Sequence, residues 1–447
     1  MALASHALKS ERLTLTGRGA RAVAMLVPFR FRIGPTPHRS TRLAYPRAVC
    51  LLGCTLIASA MLYALGLLTS RETQPAGEAA CWKHDDLSCL ATATPYAARP
   101  SRPDATHAAL AGCTPYHVSL LARHGSRYST AGSAAKLATL VGRMRAAARA
   151  GAVPLPSFIK EWIPRTPARD GELAPLGSEE LTAMGVGVRS LLKNVPGNGV
   201  SVSYTSVPRT RDSAAAFVHG FFAREPPEVA EQVLARGRVE DGLLRFFSGC
   251  PRYDQSRESA ASTTVPDAFA AGAEMLLATK GLEAALGFPP FSDEGENEGS
   301  KGSTLSLDSE DVESVMKACA EAQVLSRGCE QGGWCMLMKA AKYATEASNR
   351  MQSLTNFFER GPGVPINYQI SFELVRRLFS NLEDAAEHRE TAKHLESGAV
   401  LKAPNADLYF GHAETLLPLL AALGLPSAST EVTHVTHHAV PRTSFQH

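Results

Sequence analysis

A short apolar run that ends in a cluster of charged residues constrains this chain most. Residues Val118–Ala122 have the pattern of a buried strand and are followed directly by Arg-His-Gly-Ser-Arg at 123–127. The segment Ser133–Arg149 then has the pattern of a helix. In α/β proteins, ligands bind at the carboxyl end of a strand, where the chain turns into the next helix. Each guanidinium offers a planar fork of donors, so this turn predicts a site for a dianionic oxyanion, most simply phosphate.

The same arrangement occurs a second time along the chain. Ser201–Ser206 alternates polar and apolar residues, which predicts another strand. Arg209 follows this strand, ahead of an Ala-rich helix that is expected to begin at Ser213. A second strand end is therefore expected to deliver a cation to the site.

A third strand is predicted at Ala406–Phe410, and a helix at Leu416–Leu423. Between them lie His412 and Glu414. Strands that alternate with helices favour a layered α/β domain with a mostly parallel sheet, in which the carboxyl ends of the strands share one edge. The side chains expected to converge at that edge are Arg123, His124, Arg127, Arg209, His412 and Glu414.

These residue types together suit phosphoryl transfer. The reaction needs positive charge on the oxygens of the transferring group, which three arginines and a histidine can supply. A neutral imidazole, that of His124, can attack phosphorus and form a covalent phosphohistidine. Glu414 is the candidate acid for the leaving alcohol, which makes an acid to near-neutral pH optimum natural. The arrangement requires no metal and no cofactor.

Each of these residues taken alone has a simpler interpretation. The pattern around His124 is also typical of a histidine that is hydrogen-bonded within a turn, and the arginines are also typical of exposed residues in ion pairs. His412 and Glu414 suit a helix cap and a solvated acid, because Glu is favoured near helix N-termini in any case. The phosphate site rests on the convergence of three strand ends.

The N-terminal part of the chain has a different character. Residues 1–47 hold nine Lys/Arg and one acidic residue, a charge of +8; since the whole chain carries +3, the remainder carries −5. A basic surface for nucleic acid is therefore not expected on the folded domain. Residues 48–70 contain no charged side chain and are long enough to cross a bilayer as a helix. The positive-inside rule then places the tail in the cytosol and the domain in the lumen or outside the cell.

Two other interpretations of this segment remain open: a cleaved signal peptide, which would make the domain secreted, and a mitochondrial targeting sequence. We expect a single-pass type II protein of the secretory pathway, in the endoplasmic reticulum, the endolysosomal system or at the cell surface. A lumenal domain permits disulfides, and Cys319, Cys329 and Cys335 lie close enough in sequence to form a local framework.

Most of the chain between the second and third strand ends has helical patterns, which predicts a helical cap inserted into the α/β domain. The expected division of the chain is a basic cytosolic tail at 1–47, a transmembrane signal anchor at 48–70, a flexible stem at 71–105, an α/β domain at 106–229 and 400–425, a helical cap at 230–399 with an acidic loop at 292–303, and a disordered tail at 426–447.

The charged strand ends resemble the motifs of the histidine acid phosphatase family, the branch of the histidine phosphatases that includes phytases. The family motif Arg-His-Gly-X-Arg-X-Pro stands here at 123–129, with Ser129 in place of Pro. The third arginine of the family falls on Arg209, with Arg211 as the rival. The distal motif is His-Ala-Glu at 412–414, which is similar to the subfamily of multiple inositol polyphosphate phosphatases.

This resemblance implies a phosphoglycerate-mutase-like α/β domain with a helical cap. It implies a phosphohistidine at His124, phosphate binding by Arg123, Arg127, Arg209 and His412, and proton donation by Glu414. The implied activity is hydrolysis of inositol hexakisphosphate and lower inositol polyphosphates, with 2,3-bisphosphoglycerate as a further candidate substrate.

Two other functions remain open. One is a catalytically impaired or vestigial inositol-phosphate-binding protein, because only 33 residues follow Glu414 and we expect the family's additional strands to be missing from the sheet. The other is a transferase related to phosphoglycerate mutase, which would move phosphate instead of releasing it.

Overall fold

A computed structural model describes most of the chain beyond residue 116. The described residues are 117–151, 154–163, 169–192, 199–288, 305–326, 333–394 and 406–425. Five expected segments lie outside them: the basic tail, the membrane anchor, the stem, the acidic loop and the C-terminal tail. Of the helices within the described ranges, none has the length and apolar character needed to cross a bilayer.

The described residues form four strands and fifteen α-helices. The strands are β1 (Val118–Arg123), β2 (Val200–Tyr204), β3 (Arg238–Val239) and β4 (Ala406–Gly411). The helices are α1 (Ala131–Gly151), α2 (Ser157–Lys160), α3 (Pro175–Leu191), α4 (Pro208–Phe221), α5 (Pro227–Ala235), α6 (Asp241–Leu244), α7 (Pro251–Arg257), α8 (Ala260–Ala270), α9 (Ala273–Ala285), α10 (Ser309–Leu325), α11 (Gly333–Ala340), α12 (Ala344–Glu359), α13 (Pro365–Gln369), α14 (Phe372–His394) and α15 (Ala413–Ala422). A short 3₁₀-helix follows α6 at Phe246–Ser248.

The four strands form one parallel sheet in the order β1-β4-β2-β3. β4 is last in sequence yet lies between β1 and β2, with Arg123 opposite Gly411 and Tyr204 opposite Phe410. This confirms the predicted α/β class and places the carboxyl ends of β1, β2 and β4 side by side. The fourth strand, β3, lies beyond residue 229, where the sequence pattern had suggested that the first part of the α/β domain ends.

Helices cover both faces of the sheet. On one face, α3, α4 and α5 pack on the strands around the buried aromatic residues Phe217, Phe221 and Phe410. On the other face, a smaller core joins Leu244, Leu374, Tyr409 and Leu419 from α6, α14, β4 and α15. Because β4 is buried along its whole length, the apolar residues Leu408–Phe410 are explained by its central position between two layers of helices.

A third core, away from the two faces of the sheet, is made almost entirely of helices. It is formed by α1 and α2 with α9, α10, α11 and α12. Within it, Cys319 of α10 and Cys335 of α11 form a disulfide, so two of the three clustered cysteines pair as expected. Such a disulfide is typical of proteins in oxidising compartments. Helix α1 directly follows the charged turn at 123–127 and packs against α10, which links this helical core to the edge of the sheet.

Candidate active site

His124 lies at the centre of the charged edge. It follows β1, is 5% exposed, and its backbone N–H donates to the Gly411 carbonyl at 3.1 Å. Its ring Nδ1 lies 2.9 Å from the Gly125 carbonyl oxygen, which can only accept a hydrogen bond. Nδ1 therefore carries the proton, and Nε2 keeps a lone pair. The pKa of His124 lies well below its usual value because the ring is buried and because Arg123, Arg209 and Arg127 are close. The imidazole is thus neutral even in mildly acidic solution.

The turn after His124 requires glycine. A Cβ atom on Gly125 would lie 2.4 Å from the Gly177 carbonyl oxygen, so the turn can approach the start of α3 only without a side chain. The Gly125 N–H donates to Ser213 Oγ at 3.0 Å, and Ser213 Oγ donates to the Arg209 carbonyl at 2.7 Å. This chain of hydrogen bonds ties the His124 turn to the helix that carries Arg209.

Two carboxylates hold the same turn from opposite sides. Ser126 donates to Glu180 of α3 from its N–H at 2.9 Å and from its hydroxyl at 3.0 Å. Ser129 donates in the same way to Glu321 of α10, at 3.2 and 3.0 Å. The residue that departs from the family's Pro is therefore held by two hydrogen bonds, one of them from an N–H that proline does not have.

Arg127 and Arg209 form a crowded pair of cations at this edge. Burial and the nearby Arg123 lower the pKa of both guanidiniums, that of Arg127 to about 10. The Nε atoms of Arg127 and Arg209 are buried, and no acceptor among the described residues binds either of them. Buried donors without acceptors and mutually repelling charges are both relieved by an anion. The two side chains therefore suit an oxyanion ligand.

Gly171 was not identified from the sequence as a site residue. Its φ is +62°, and a Cβ atom there would lie 3.4 Å from Arg209 Nη1 and 3.8 Å from Arg127 Nη1. A side chain would therefore be strained by the positive φ, and its Cβ atom would lie in van der Waals contact with both guanidiniums. Its position in a Gly-rich turn between predicted elements is the only signal that the sequence offers.

His412 caps the N-terminus of α15 and is 4% exposed. Arg209 Nη2, which can only donate, lies 3.5 Å from its Nδ1, and its Nε2 lies 3.1 Å from the Thr205 hydroxyl. The proton is therefore on Nε2 and is donated to Thr205. Burial and Arg209 lower the pKa of His412 to about 4. The rings of His412 and His124 are 5.6 Å apart, so the ends of β1 and β4 contribute to one site.

Glu414 lies in the first turn of α15, with its side chain 35% exposed. Its Oε1 is 3.6 Å from Arg360 Nε. Burial raises the pKa of Glu414, but Arg360, the residue's own backbone N–H, Arg123 and His412 lower it further, so that it lies below its usual value. The carboxylate faces both the cations and solvent, which is the position that an acid for a leaving group needs.

The structure thus brings together all six predicted side chains. The rival Arg211 instead points to solvent and pairs with Asp212 at 3.2 Å. Two helix starts were predicted too late: α4 begins at Pro208 and α15 at Ala413, so Arg209 and Glu414 lie inside first turns. For α4 the reason is that proline suits the first helical position.

Two arginines near the site were also missed. Arg245 donates to Ser206 Oγ and Ser248 Oγ, both at 3.2 Å, and is close enough to lower the pKa of Arg209 and His412. Arg360 ends α12 beside Glu414. Each of these arginines directly follows a helix, and no sequence motif around either of them indicates a site residue. Within the described ranges, no three His, Cys, Asp or Glu side chains are grouped so that they could hold a metal ion.

Comparison with known proteins agrees with this geometry. Residues 116–444 match the model of the histidine phosphatase superfamily (branch 2). Multiple inositol polyphosphate phosphatase 1 is 26% identical over 330 residues in Homo sapiens, covering 70% of this chain and 63% of the relative. The Gallus gallus protein is 26% identical over 320 residues, covering 70% of this chain and 64% of the relative. The chain therefore spans somewhat less than two thirds of these relatives.

A solved structure shares the fold. The multiple inositol polyphosphate phosphatase of Bifidobacterium longum, in complex with inositol hexasulfate, aligns with a TM-score of 0.51 at 16% identity, over 70% of this chain and 75% of that one. The family match covers well over half of the chain, and its region contains all three strand ends that form the site. The chain belongs to the histidine phosphatase superfamily, branch 2.

Proposed function

We propose that this protein is a phosphomonoesterase that hydrolyses inositol hexakisphosphate and lower inositol polyphosphates through a covalent phosphohistidine. The observation that carries the proposal is the state of His124. Its Nδ1 is bound to the Gly125 carbonyl, so the lone pair of Nε2 is available beside three arginines. A neutral imidazole next to a cluster of buried cations is the arrangement that attack on a phosphate monoester needs.

The reaction proceeds in two steps. Nε2 of His124 forms a bond to phosphorus while the bond from phosphorus to the inositol oxygen breaks, and Glu414 delivers its proton to that oxygen. Water then attacks phosphorus and gives a proton to the Glu414 carboxylate, the N–P bond breaks, and orthophosphate leaves. Arg123, Arg127 and Arg209 bind the oxygens of the transferring group in both steps, and His412 joins them by turning its Nε2–H from Thr205 to a phosphate oxygen. Since Nε2 of His412 carries this proton in either position, His412 cannot replace His124 as nucleophile without losing it.

The charges around the site support a substrate with several phosphate groups. A substrate with a single phosphate group would contact only the three arginines that bind the transferring group, Arg123, Arg127 and Arg209. Two further arginines lie close to these three, Arg245 near Arg209 and Arg360 beside Glu414. Additional cations suit additional phosphates. The names of the relatives and the inositol hexasulfate bound to the Bifidobacterium longum protein point to the same class of substrate. The smaller polyanion 2,3-bisphosphoglycerate is a further candidate.

Product analysis tests this function. The protein is incubated with inositol hexakisphosphate, and free orthophosphate and the remaining inositol phosphates are measured together. We expect more than one orthophosphate per inositol hexakisphosphate and a series of lower inositol phosphates. A parallel reaction with 2,3-bisphosphoglycerate separates hydrolysis from transfer. Migration of phosphate between hydroxyl groups without its release would contradict a hydrolase and favour a mutase-like transferase.

Glu321 is expected to support catalysis from the helical core. Replacing it with alanine removes both acceptors of Ser129 and frees the turn that carries Arg127. A displacement of about 1 Å at such a site costs on the order of 100-fold in rate, so we expect kcat to fall by ~10- to 100-fold. Hydrolysis of p-nitrophenyl phosphate measures the effect. Glu313→Ala on the same helix, which loses only its 3.1 Å ion pair with Lys317, is the matched control. Equal rates for the two variants would show that the Ser129 contact does not position the turn.

A further inference from the structure

Arg360 presents an unused donor edge to the proposed proton donor. Its Nη1 donates to Asn356 Oδ1 at 3.0 Å, and its Nη2 lies 3.6 Å from the Glu359 carboxylate. Its Nε is buried, lies 3.6 Å from Glu414 Oε1, and forms no hydrogen bond with any described residue. The guanidinium is therefore fixed on one side, while its other edge faces the site with an unsatisfied N–H.

The segment that carries Arg360 is held in place by hydrogen bonds of buried side chains. The buried amide of Asn367 donates to the Phe358 carbonyl at 2.8 Å and to the Gly361 carbonyl at 3.1 Å, which closes the loop after α12. Ser371 Oγ donates to the Tyr368 carbonyl at 2.8 Å and lies 3.4 Å from the Pro418 carbonyl of α15, and α13 packs against α15. Since α15 also carries Glu414, the loop and the proton donor are held in one packed unit. The meeting of Arg360 and Glu414 is thus a feature of the fold and not of a free surface side chain.

This contact opposes the task of Glu414 in the free enzyme. An acid must hold a proton, whereas a neighbouring guanidinium favours the ionised carboxylate. Arg360 is the strongest of the groups that lower the pKa of Glu414. The charged and titratable groups that face this carboxylate are Arg123, Arg127, Arg209, Arg360, His412 and Tyr253. The phosphate under attack neutralises the first three, which leaves Arg360 as the cation that still holds Glu414 ionised.

We propose that Arg360 binds a second phosphate group of the substrate, next to the one under attack, and that this phosphate neutralises the guanidinium beside Glu414 so that Glu414 can take up its proton. This inference rests on the proposed phosphatase activity and adds a reason for preferring polyphosphates. A substrate with two neighbouring phosphates therefore promotes the protonation of Glu414 by its own binding. A substrate with a single phosphate leaves Arg360 on Glu414 and reacts only where the medium is acidic enough to protonate the carboxylate against it.

The test compares two alkyl phosphates at a series of pH values. Inositol hexakisphosphate offers neighbouring phosphates, and glycerol 2-phosphate offers one phosphate on a secondary alcohol. In the wild-type protein, kcat for glycerol 2-phosphate should fall at a lower pH than kcat for inositol hexakisphosphate. Arg360→Gln should raise KM for inositol hexakisphosphate about tenfold or more, the usual effect of a lost charge-assisted hydrogen bond. The same variant should move the fall in kcat for glycerol 2-phosphate to higher pH, so that this substrate reacts faster near neutrality than with the wild type.

Two further variants control the result. Arg360→Lys keeps the charge and should leave the glycerol 2-phosphate profile close to that of the wild type. Arg376→Gln removes an exposed arginine of α14 that pairs with Glu373 at 2.6 Å, and it should change neither profile. An unchanged KM for inositol hexakisphosphate in Arg360→Gln would overturn the second phosphate contact. A raised KM with an unmoved glycerol 2-phosphate profile would overturn the coupling to Glu414. Failure of the wild type to release phosphate from either substrate would instead contradict the proposed function itself, and this inference with it.

Discussion

His124→Ala is expected to lower kcat for phosphate release from inositol hexakisphosphate by about 10⁴-fold or more, the scale of losing a nucleophile that works in a preorganised site. No described neighbour can take its place. The other imidazole that the described residues place in the site, that of His412, has its Nδ1 facing Arg209 and its Nε2–H bound to Thr205. The lone pair of His124 Nε2 is therefore the one nucleophile that the described site offers.

The measurement is steady-state phosphate release, with the unfolding midpoint of each variant recorded alongside. His219→Ala is the control, because His219 is an exposed histidine in the last turn of α4, where it pairs with Glu231 at 3.5 Å. We expect wild-type rates for this variant. If His124→Ala folds normally and keeps more than a few per cent of the wild-type kcat, His124 is not the nucleophile.

Glu414→Gln is expected to separate substrates by their leaving groups. The loss of a general acid costs ~10²- to 10⁴-fold when the leaving group is an alkoxide, so kcat for inositol hexakisphosphate should fall by that much. With p-nitrophenyl phosphate the loss should stay below about tenfold, because p-nitrophenolate leaves without a proton. The amide keeps the size of the side chain, so the change is confined to its charge and its acidity.

The pH profile supplies a second readout for the same variant. Since the pKa of His124 is lowered, the rise of activity with increasing pH lies below the usual imidazole range. Since Glu414 must be protonated and its pKa in the free enzyme is also lowered, kcat/KM falls again as pH rises through that pKa. The optimum is therefore acidic, and Glu414→Gln should lose the fall at higher pH. Equal losses on both substrates, with the fall still present, would remove Glu414 from the role of acid.

The site was predictable where its residues are adjacent in sequence to strand ends. Val118–Ala122 is apolar except for Ser119, and the central position of β4 likewise leaves the apolar run Leu408–Phe410 shortly before His412. Parallel strands bring such ends to one edge, so six residues spread over nearly 300 positions could be placed together from the order of strands and helices alone. The expected start at Ser213 was wrong, because proline suits the first helical position and α4 already begins at Pro208.

The residues that hold the site residues in place could not be predicted from the sequence, because their contacts join distant parts of the chain. Glu321 meets Ser129 across 192 positions, and Thr205 meets His412 across 207. These contacts depend on how the layers of helices pack, which no local pattern records. Arg360 is similar, since its role comes from the packing of the loop after α12 against α15. The strand β3 consists of only two exposed residues, Arg238 and Val239, which is too short for any alternation to be visible.

The central claim is the covalent intermediate, and trapping it is the most direct test. The protein is mixed with inositol hexakisphosphate carrying labelled phosphate, and the reaction is stopped within milliseconds by a denaturant at alkaline pH, where phosphohistidine survives. We predict label on the protein that maps to the peptide with His124 and is absent in His124→Ala. Rapid release of labelled orthophosphate by the wild type, with no label on the protein at any time, would contradict the account.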